Sequence, residues 1–394
     1  MYLVFNIGNL QKSAVKNTAD FIEFLCIIRM VEGRLKMGIF DKLEISTGDR
    51  SIAYIDGKCF IRNGKGEPET LVVENFKLES LIEYIQKKNI ESVNISGMDN
   101  LSFLSQCPSI DKITLTLAVG FERYDTLIKK RENSFYCWYE KKYDYAQIYD
   151  LFNLKKLAIE DIGARDPFMQ IESKLKVDLQ RFPNLQVYSG KYRFTKNLMT
   201  MMNIRTLGLS TYTKENIIEF SQMKKLDTLS ITRSKIKTLA GCENLSKLQC
   251  VYLGYNRALT DISSLRHAKK TLRMLEIDHC GHIEDFSILN ELENLEFLRL
   301  LGTNTIADIQ FIKKLPKLKT FICDYKVKDG DVHPCGLING YVYIQNRKNF
   351  NTKKYGDDNY PRTIPSKEEG IYVGQENIEL WRRLWSSPQW PGEM

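Results

Sequence analysis

The densest group of side chains that could do chemistry lies between residues 278 and 285, where the sequence reads Asp-His-Cys-Gly-His-Ile-Glu-Asp. Imidazole, thiolate and carboxylate groups are the ligands that zinc uses in proteins. The register of the repeat described below argues against a shared metal ion, because it points Cys280 into the core, points His279 outward and leaves His282 in the following loop. We therefore expect no metal site in this segment.

A second candidate is Asn63-Gly64-Lys65-Gly66, which resembles part of a phosphate-binding loop. Such a loop needs a longer glycine-rich stretch that leads into a helix, whereas this segment lies between two predicted strands and is typical of a turn. The sequence also lacks a nucleophile elbow, an HExxH pair and a paired-glycine nucleotide motif. We therefore predict a protein that is not an enzyme, without catalytic residues and without a cofactor.

Length and composition indicate a folded protein. The chain has 394 residues, which favours several domains or an elongated repeat array. Hydrophobic residues make up 43% and charged residues 27%, and the nine cysteines are dispersed without a CxxC pair, which indicates reduced thiols. The apolar stretch 21–31 contains Glu23 and Arg29, is too short to cross a membrane and does not fit a signal peptide. We expect a cytoplasmic protein that makes no membrane contact.

The net charge of +8 leaves a choice between two kinds of surface. Basic residues recur as Lys-Lys pairs at equivalent points of the repeat, namely at 155–156, 224–225, 269–270 and 313–314. Lysines spread in this way favour a solvated face over a track that follows nucleic-acid phosphates. Nucleic-acid binding through the basic faces is kept as the alternative function.

The elements that must position these side chains come from an internal repeat. One six-residue phrase, with apolar residues at positions 1, 4 and 6, recurs after 22, 22, 24, 23 and 23 residues. Its copies are Ile204-x-x-Leu207-x-Leu209, Leu226-x-x-Leu229-x-Ile231, Leu248-x-x-Val251-x-Leu253, Leu272-x-x-Leu275-x-Ile277, Leu295-x-x-Leu298-x-Leu300 and Leu318-x-x-Phe321-x-Cys323.

The second half of each unit changes its spacing from two to three, as in Ile283-x-x-Phe286-x-x-Leu289. This is the leucine-rich-repeat pattern of a short strand, a turn residue and a tight helical or 3₁₀ return. One unit cannot bury its own aliphatic row, so neighbouring units stack into a continuous core. The predicted fold is an α/β, right-handed leucine-rich-repeat solenoid, or horseshoe, with a parallel sheet on the concave face and short returns on the convex face.

The units resemble the short repeats of bacterial internalin-like proteins over residues 204–323. The resemblance rests on a recurring Asp-Ile or Asp-Phe step, found at Asp261-Ile262, Asp285-Phe286 and Asp308-Ile309. It departs at the turn position, where Asn256 fits and Ser234, Cys280 and Thr303 stand in other units. We expect neither the secretion signal nor the wall anchor of surface internalins, so we do not expect an adhesin.

Four regions are predicted. Residues 1–36 form a helical extension, although Met37 could instead be the true start; residues 37–88 form a cap with a β-hairpin and a helix. The solenoid spans 89–323, irregular to about 200 and regular over 204–323, with the aromatic segment 135–139 as an irregular strand of the array. Residues 324–394 form a C-terminal cap and tail, in which Trp381, Trp385 and Trp390 either cover the open end of the solenoid or dock a partner.

The predicted binding surface lies on the concave strands. Positions 3, 5 and 7 of the phrase face outward, and aromatic, Met and charged residues concentrate there between 248 and 301. The patch consists of Tyr252, Tyr255, Met274, Glu276, Asp278, Phe297, Arg299 and Leu301. The alternative is that these are scattered exposed apolar residues without a function.

These observations predict a scaffold that binds another protein and is a monomer in isolation. The resemblance to internalin-like repeats suggests two specific forms: a bacterial immunity protein that neutralises a toxin, or an interaction subunit of a regulatory complex.

Overall fold

The computed structural model describes residues 52–56, 58–62, 67–73, 78–96, 98, 101–117, 119–128, 131–140, 145–161, 175–345 and 348–351. The chain divides into two compact units, one of residues 1–72 with 391–394 and one of residues 73–390. In the first unit, β1 (Ile52–Ile55) and β2 (Lys58–Arg62) form an antiparallel hairpin around Asp56, whose φ is 51°. The strand β3 (Pro68–Val73), which runs to the boundary, pairs antiparallel with β2. The predicted hairpin is therefore present.

The second unit begins with the helix α1 (Leu78–Lys88) and continues as a series of strands. These are β4 (Ser92–Ser96), β5 (Lys112–Leu117), β6 (Val119–Ile128), β7 (Arg131–Glu140), β8 (Lys156–Asp161), β9 (Val177–Asp178), β10 (Val187–Lys191), β11 (Thr195–Lys196), β12 (Thr206–Ser210), β13 (Thr228–Thr232), β14 (Cys250–Gly254), β15 (Met274–Asp278), β16 (Phe297–Leu301), β17 (Thr305–Ile306), β18 (Thr320–Cys323), β19 (Lys326–Val327) and β20 (Tyr341–Ile344).

A parallel sheet runs through this unit in the order β4-β5-β8-β10-β12-β13-β14-β15-β16-β18-β20. Consecutive strands pair in one register, so that Leu229 lies beside Val251 and Val251 beside Leu275. Together with the 3₁₀ returns described next, this sheet confirms the predicted α/β leucine-rich-repeat solenoid. One detail is wrong: residues 135–139 are not a strand of the array but belong to β7, which pairs antiparallel with β6, so β5 pairs directly with β8.

The returns between strands are short 3₁₀ helices. In the repeat region they span Ile218–Phe220, Cys242–Asn244, Ser263–Ala268, Ser287–Glu291, Gln310–Lys314 and His333–Leu337; the earlier ones span Ser102–Gln106, Ala146–Asp150, Leu179–Arg181, Tyr192–Phe194 and Leu198–Thr200. The Asp of the recurring Asp-Ile or Asp-Phe step starts three of them, namely Ser263–Ala268, Ser287–Glu291 and Gln310–Lys314. Asp261 and Asp285 each accept a hydrogen bond from the backbone N–H two residues later, at 2.7 Å. That bond satisfies an otherwise unpaired N–H at the start of a helical turn.

The turns after β13, β14, β15 and β16 are each held by a buried side chain that bonds the neighbouring unit. The Asn256 Oδ1 accepts from the Ser234 N–H at 2.9 Å, and its Nδ2 donates to the Ile231 carbonyl at 2.8 Å. In the unit that begins at Leu295 the role falls to Asn304, which donates to the Cys280 carbonyl at 3.1 Å. The expectation for Thr303 is wrong, because this side chain is exposed and the turn comes one residue later in that unit.

We predict that Asn256→Ala lowers the free energy of unfolding by roughly 2–4 kcal/mol, because it leaves a buried N–H and a buried carbonyl without partners. Urea denaturation followed by circular dichroism measures the change. The matched control is Asn290→Ala, which removes one exposed bond to the Ser287 carbonyl and should cost less than about 1 kcal/mol. Equal losses of unfolding free energy in the two variants would contradict the stabilising role assigned to the buried bonds of Asn256.

Candidate functional site

The predicted patch does not lie on an exposed face. Both faces of β13, β14 and β15 are buried, and the expectation of solvent exposure is wrong for Tyr252, Met274, Glu276, Asp278, Phe297 and Leu301, which are at most 7% exposed. The sequence alternation identifies which side chains share a face, but it does not reveal whether that face is covered. The role of these residues in binding a partner stays a prediction.

The outward side chains form a second apolar cluster, separate from the leucine core. It contains Cys250, Tyr252, Met274, Phe297, Leu301, Ile322 and Tyr343, with Tyr341 packed against it. Parallel pairing explains the cluster, since Cys250 lies beside Met274 and Met274 beside Phe297. These residues therefore stabilise the fold from the side of the sheet that we expected to be open.

Charged side chains lie within this cluster. The Tyr252 hydroxyl donates to Asp278 Oδ2 at 3.1 Å, and Arg299 Nη1 lies 3.4 Å from Glu276 Oε1. Neither carboxylate oxygen of Glu276 accepts a hydrogen bond from the described residues. Burial raises the pKa of Glu276 to about 7; the Arg299 guanidinium opposes this rise and the Asp278 carboxylate adds to it.

An accessible surface begins one residue beyond each strand. Thr211, Arg233, Tyr255 and His279 occupy equivalent positions there, and all have φ between 48° and 56°. This left-handed conformation lets each backbone N–H bond the next strand, as Tyr255 does to the Asp278 carbonyl at 2.7 Å. Since the conformation recurs in these four successive units, their side chains project together along one edge of the sheet.

Three of them stack, and we call Arg233, Tyr255 and His279 the strand-end ladder. The Tyr255 and His279 rings are 4.9 Å apart and tilted by only 3°, while the Arg233 guanidinium carbon lies 5.7 Å from the Tyr255 centroid. The His279 Nδ1 is hydrogen-bonded to Asp278 Oδ1, and the histidine side chain is 50% exposed. Of the predicted patch, Tyr255 therefore reaches the surface, while Arg233 and His279 are site residues that the sequence analysis missed.

The segment 278–285 does not assemble a metal centre in the described part of the chain. Cys280 is buried and its thiol donates weakly to the Leu253 carbonyl at 3.4 Å, while burial raises the pKa of that thiol to about 12. His279 belongs to the strand-end ladder, and His282 is exposed. No three His, Cys, Asp or Glu side chains converge among the described residues.

Other predictions fall where the structure describes little. Trp381, Trp385 and Trp390, the extension 1–36 and the alternative start at Met37 all lie outside the described residues. In the described ranges, no helix has the length and apolar character needed to span a membrane.

Comparisons with known proteins give structural similarity without close sequence relatives. No protein-family model and no curated protein matches the sequence. An internalin (inlF) of Listeria monocytogenes is 18% identical, with a TM-score of 0.45, covering 73% of this chain and 85% of the other. An internalin C2 of the same organism is 19% identical, with a TM-score of 0.35 and coverage of 45% and 80%. A leucine-rich-repeat protein of Leptospira interrogans is 14% identical, with a TM-score of 0.30 and coverage of 65% and 77%.

We predict that Glu276 makes stability fall as pH rises from about 4.5 to about 7. The folded state holds the Glu276 proton more tightly than the unfolded state, whose pKa is near 4.5, so folding is favoured at low pH. In Glu276→Gln this dependence is lost. The difference in the free energy of unfolding between wild type and the variant should therefore change by roughly 1–3 kcal/mol between pH 5 and pH 8. Denaturant midpoints across this range measure it.

The slope with pH is the informative readout, since Glu276→Gln also leaves the largely buried Arg299 without its counter-charge. The control is Glu293→Gln at an exposed position. A Glu276→Gln curve that runs parallel to wild type would contradict the assignment.

Proposed function

We propose that this chain is a non-catalytic scaffold that binds another protein, and that the strand-end ladder is the centre of the interface. The observation that carries the proposal is the stack of Arg233, Tyr255 and His279 on an exposed edge. Arginine and aromatic residues are the types that dominate interface energetics, and here they sit in a fixed arrangement.

The geometry of the ladder favours binding because its backbone and side chains are already ordered before a partner binds. The backbone at Tyr255 and His279 is already fixed by hydrogen bonds to the next strand, and the rings already lie parallel. A partner therefore loses less free energy to side-chain ordering than it would on a mobile surface.

The ladder ends at a position without a side chain. The equivalent residue of the next unit is Gly302, whose φ of 123° suits glycine and whose hypothetical Cβ would lie 3.3 Å from the His279 Cα. A planar group of a partner, such as an arginine or an aromatic side chain, could continue the stack beside His279. This chemistry supports a protein ligand.

Within this proposal, two specific forms remain: an immunity protein that neutralises a toxin, and a subunit of a regulatory complex. Both rest on the resemblance of the repeats to internalin-like units. We also propose a cytoplasmic location, which is supported by the free thiols of Cys59, Cys107, Cys242, Cys250, Cys280, Cys323 and Cys335 among the described residues.

The contacts of the Lys-Lys pairs weaken the nucleic-acid alternative. Lys155 bonds Asp111 at 2.7 Å, Lys269 lies 3.8 Å from Glu291, and Lys225 donates to Asn203 at 2.7 Å. The charges of Lys155 and Lys269 are therefore partly compensated by carboxylates of neighbouring units, whereas Lys225 meets a neutral amide. This arrangement supports the solvated-face interpretation over a phosphate track.

We predict that Tyr255→Ala combined with His279→Ala reduces capture of the partner at least tenfold, which is about 1.4 kcal/mol, because it removes two stacked side chains at the centre of the interface. Quantitative affinity capture with cross-linking from the source cell measures the loss. Tyr252 and Phe297 are unsuitable targets, because truncating buried residues creates cavities and destabilises the fold.

The matched control removes the exposed Phe152 and the exposed His282, one aromatic ring and one imidazole away from the ladder. It should retain capture at the wild-type level. If the ladder variant melts like wild type and still captures every partner, the proposed interface is wrong.

A further inference from the structure

A second surface lies at the opposite ends of the strands, where the chain runs into β10, β12, β13 and β14. Here the residues just before position 1 and at position 2 of the repeat line a groove of about 520 Å³. We call it the strand-start groove; one row is Asn184, Asn203, Lys225 and Lys247, and the other is Gln186, Arg205, Asp227 and Gln249. The apolar residues between the two rows, Leu185, Ile204, Leu226 and Leu248, are fully buried.

The groove has the dimensions of a short extended peptide. It crosses four neighbouring strands that pair in parallel, β10 with β12, β12 with β13 and β13 with β14. Strands are spaced about 4.8 Å apart, so the groove is about 14 Å long, which is the length of roughly four extended residues. A segment that lies across the strands therefore meets one pair of lining side chains in each unit.

The lining can both donate and accept hydrogen bonds. Asn203 is already engaged, accepting from Lys225 at 2.7 Å and donating to the Pro183 carbonyl at 2.9 Å. The side-chain amides of Gln186 and Gln249 form no hydrogen bond with the described residues and stand at the two ends of one row. Amide groups match the alternating N–H and C=O groups of a peptide backbone, whereas a phosphate offers acceptors alone.

The charge of the groove selects an acidic ligand. Arg205 donates through Nε and Nη2 to Asp227 Oδ2, at 3.1 and 2.9 Å, so this guanidinium is neutralised by a buried carboxylate. Lys225 keeps its charge, since its partner is a neutral amide, and Lys247 is exposed. The row that contains Lys225 and Lys247 therefore carries a net positive charge, while Asp227 in the other row disfavours a densely charged phosphate chain.

We propose that the strand-start groove binds an extended acidic segment of a protein, with Lys225 and Lys247 pairing its carboxylates and Gln186 and Gln249 bonding its backbone. This site is separate from the strand-end ladder and does not depend on the function proposed for it. The combination of free amides and two lysines across four stacked units carries the assignment.

The test uses the full chain and a fluorescein-labelled peptide of ten glutamates, with fluorescence anisotropy at low salt as the readout. Lys225→Gln with Lys247→Gln should raise the Kd at least tenfold. The matched variant Lys313→Gln with Lys314→Gln removes the same charge from exposed positions on a return, and should change the Kd less than twofold.

A second pair of variants separates peptide from nucleic acid. Gln186→Leu with Gln249→Leu keeps the charge of the groove and should raise the Kd of the glutamate peptide about fivefold. The Kd of a 20-nucleotide oligothymidine should stay unchanged. The proposal is overturned if the peptide does not bind, if both lysine pairs have equal effects, or if the oligonucleotide binds more tightly through the same lysines. The Tyr255→Ala, His279→Ala variant serves as a control and should bind the peptide like wild type. That result would show that peptide binding does not depend on the strand-end ladder.

Discussion

Parallel pairing of the strands in a single register is the constraint on which the other features of this molecule depend. From β12 to β16 each residue lies beside the residue at the same position of the next unit. Side chains of one position therefore form a row with about 4.8 Å between neighbours, and each row has one environment. A polar side chain in a buried row must find its partners in the adjacent units. The bonds from Asn256 to Ser234 and Ile231 show this requirement being met.

The same constraint separates buried from accessible chemistry within two adjacent residues. Tyr255 and His279 take the left-handed conformation, and their side chains project along the edge of the sheet. The residue that follows each of them, Asn256 or Cys280, turns inward and is buried. The positive φ reverses the direction in which successive side chains point. The free-energy cost of this left-handed conformation is offset by the backbone hydrogen bond to the next strand. The ladder and the internal turn bonds are thus two results of one backbone geometry.

The repeat, the strands and the returns could be predicted because they depend on spacing that the sequence displays. The rows that contain Tyr252, Met274 and Phe297 were identified correctly as sharing a face, since pairing follows from the period. Their burial could not be predicted, because the alternation of a strand shows which side chains share a face but not whether that face is covered. Arg233 and His279 were missed because the alternation of a strand ends before them. The signal that could have found them is the recurrence of large polar side chains one residue after three successive strands, β13, β14 and β15.

A ligand binds more favourably at the edges of the sheet than at its face, because binding at the face would cost more free energy. Tyr252, Met274 and Phe297 already make close contacts, and Glu276 and Arg299 lie together in a region of low polarity. A ligand that replaced those contacts would gain only the difference between its own contacts and the ones it displaced, and would disturb a buried charge pair. Arg233 and His279 of the strand-end ladder and Lys225 and Lys247 of the strand-start groove are accessible to solvent, so a ligand displaces mainly water there. Their spacing is set by the stacked units, and an extended or planar ligand is therefore recognised by the repeat of the solenoid itself.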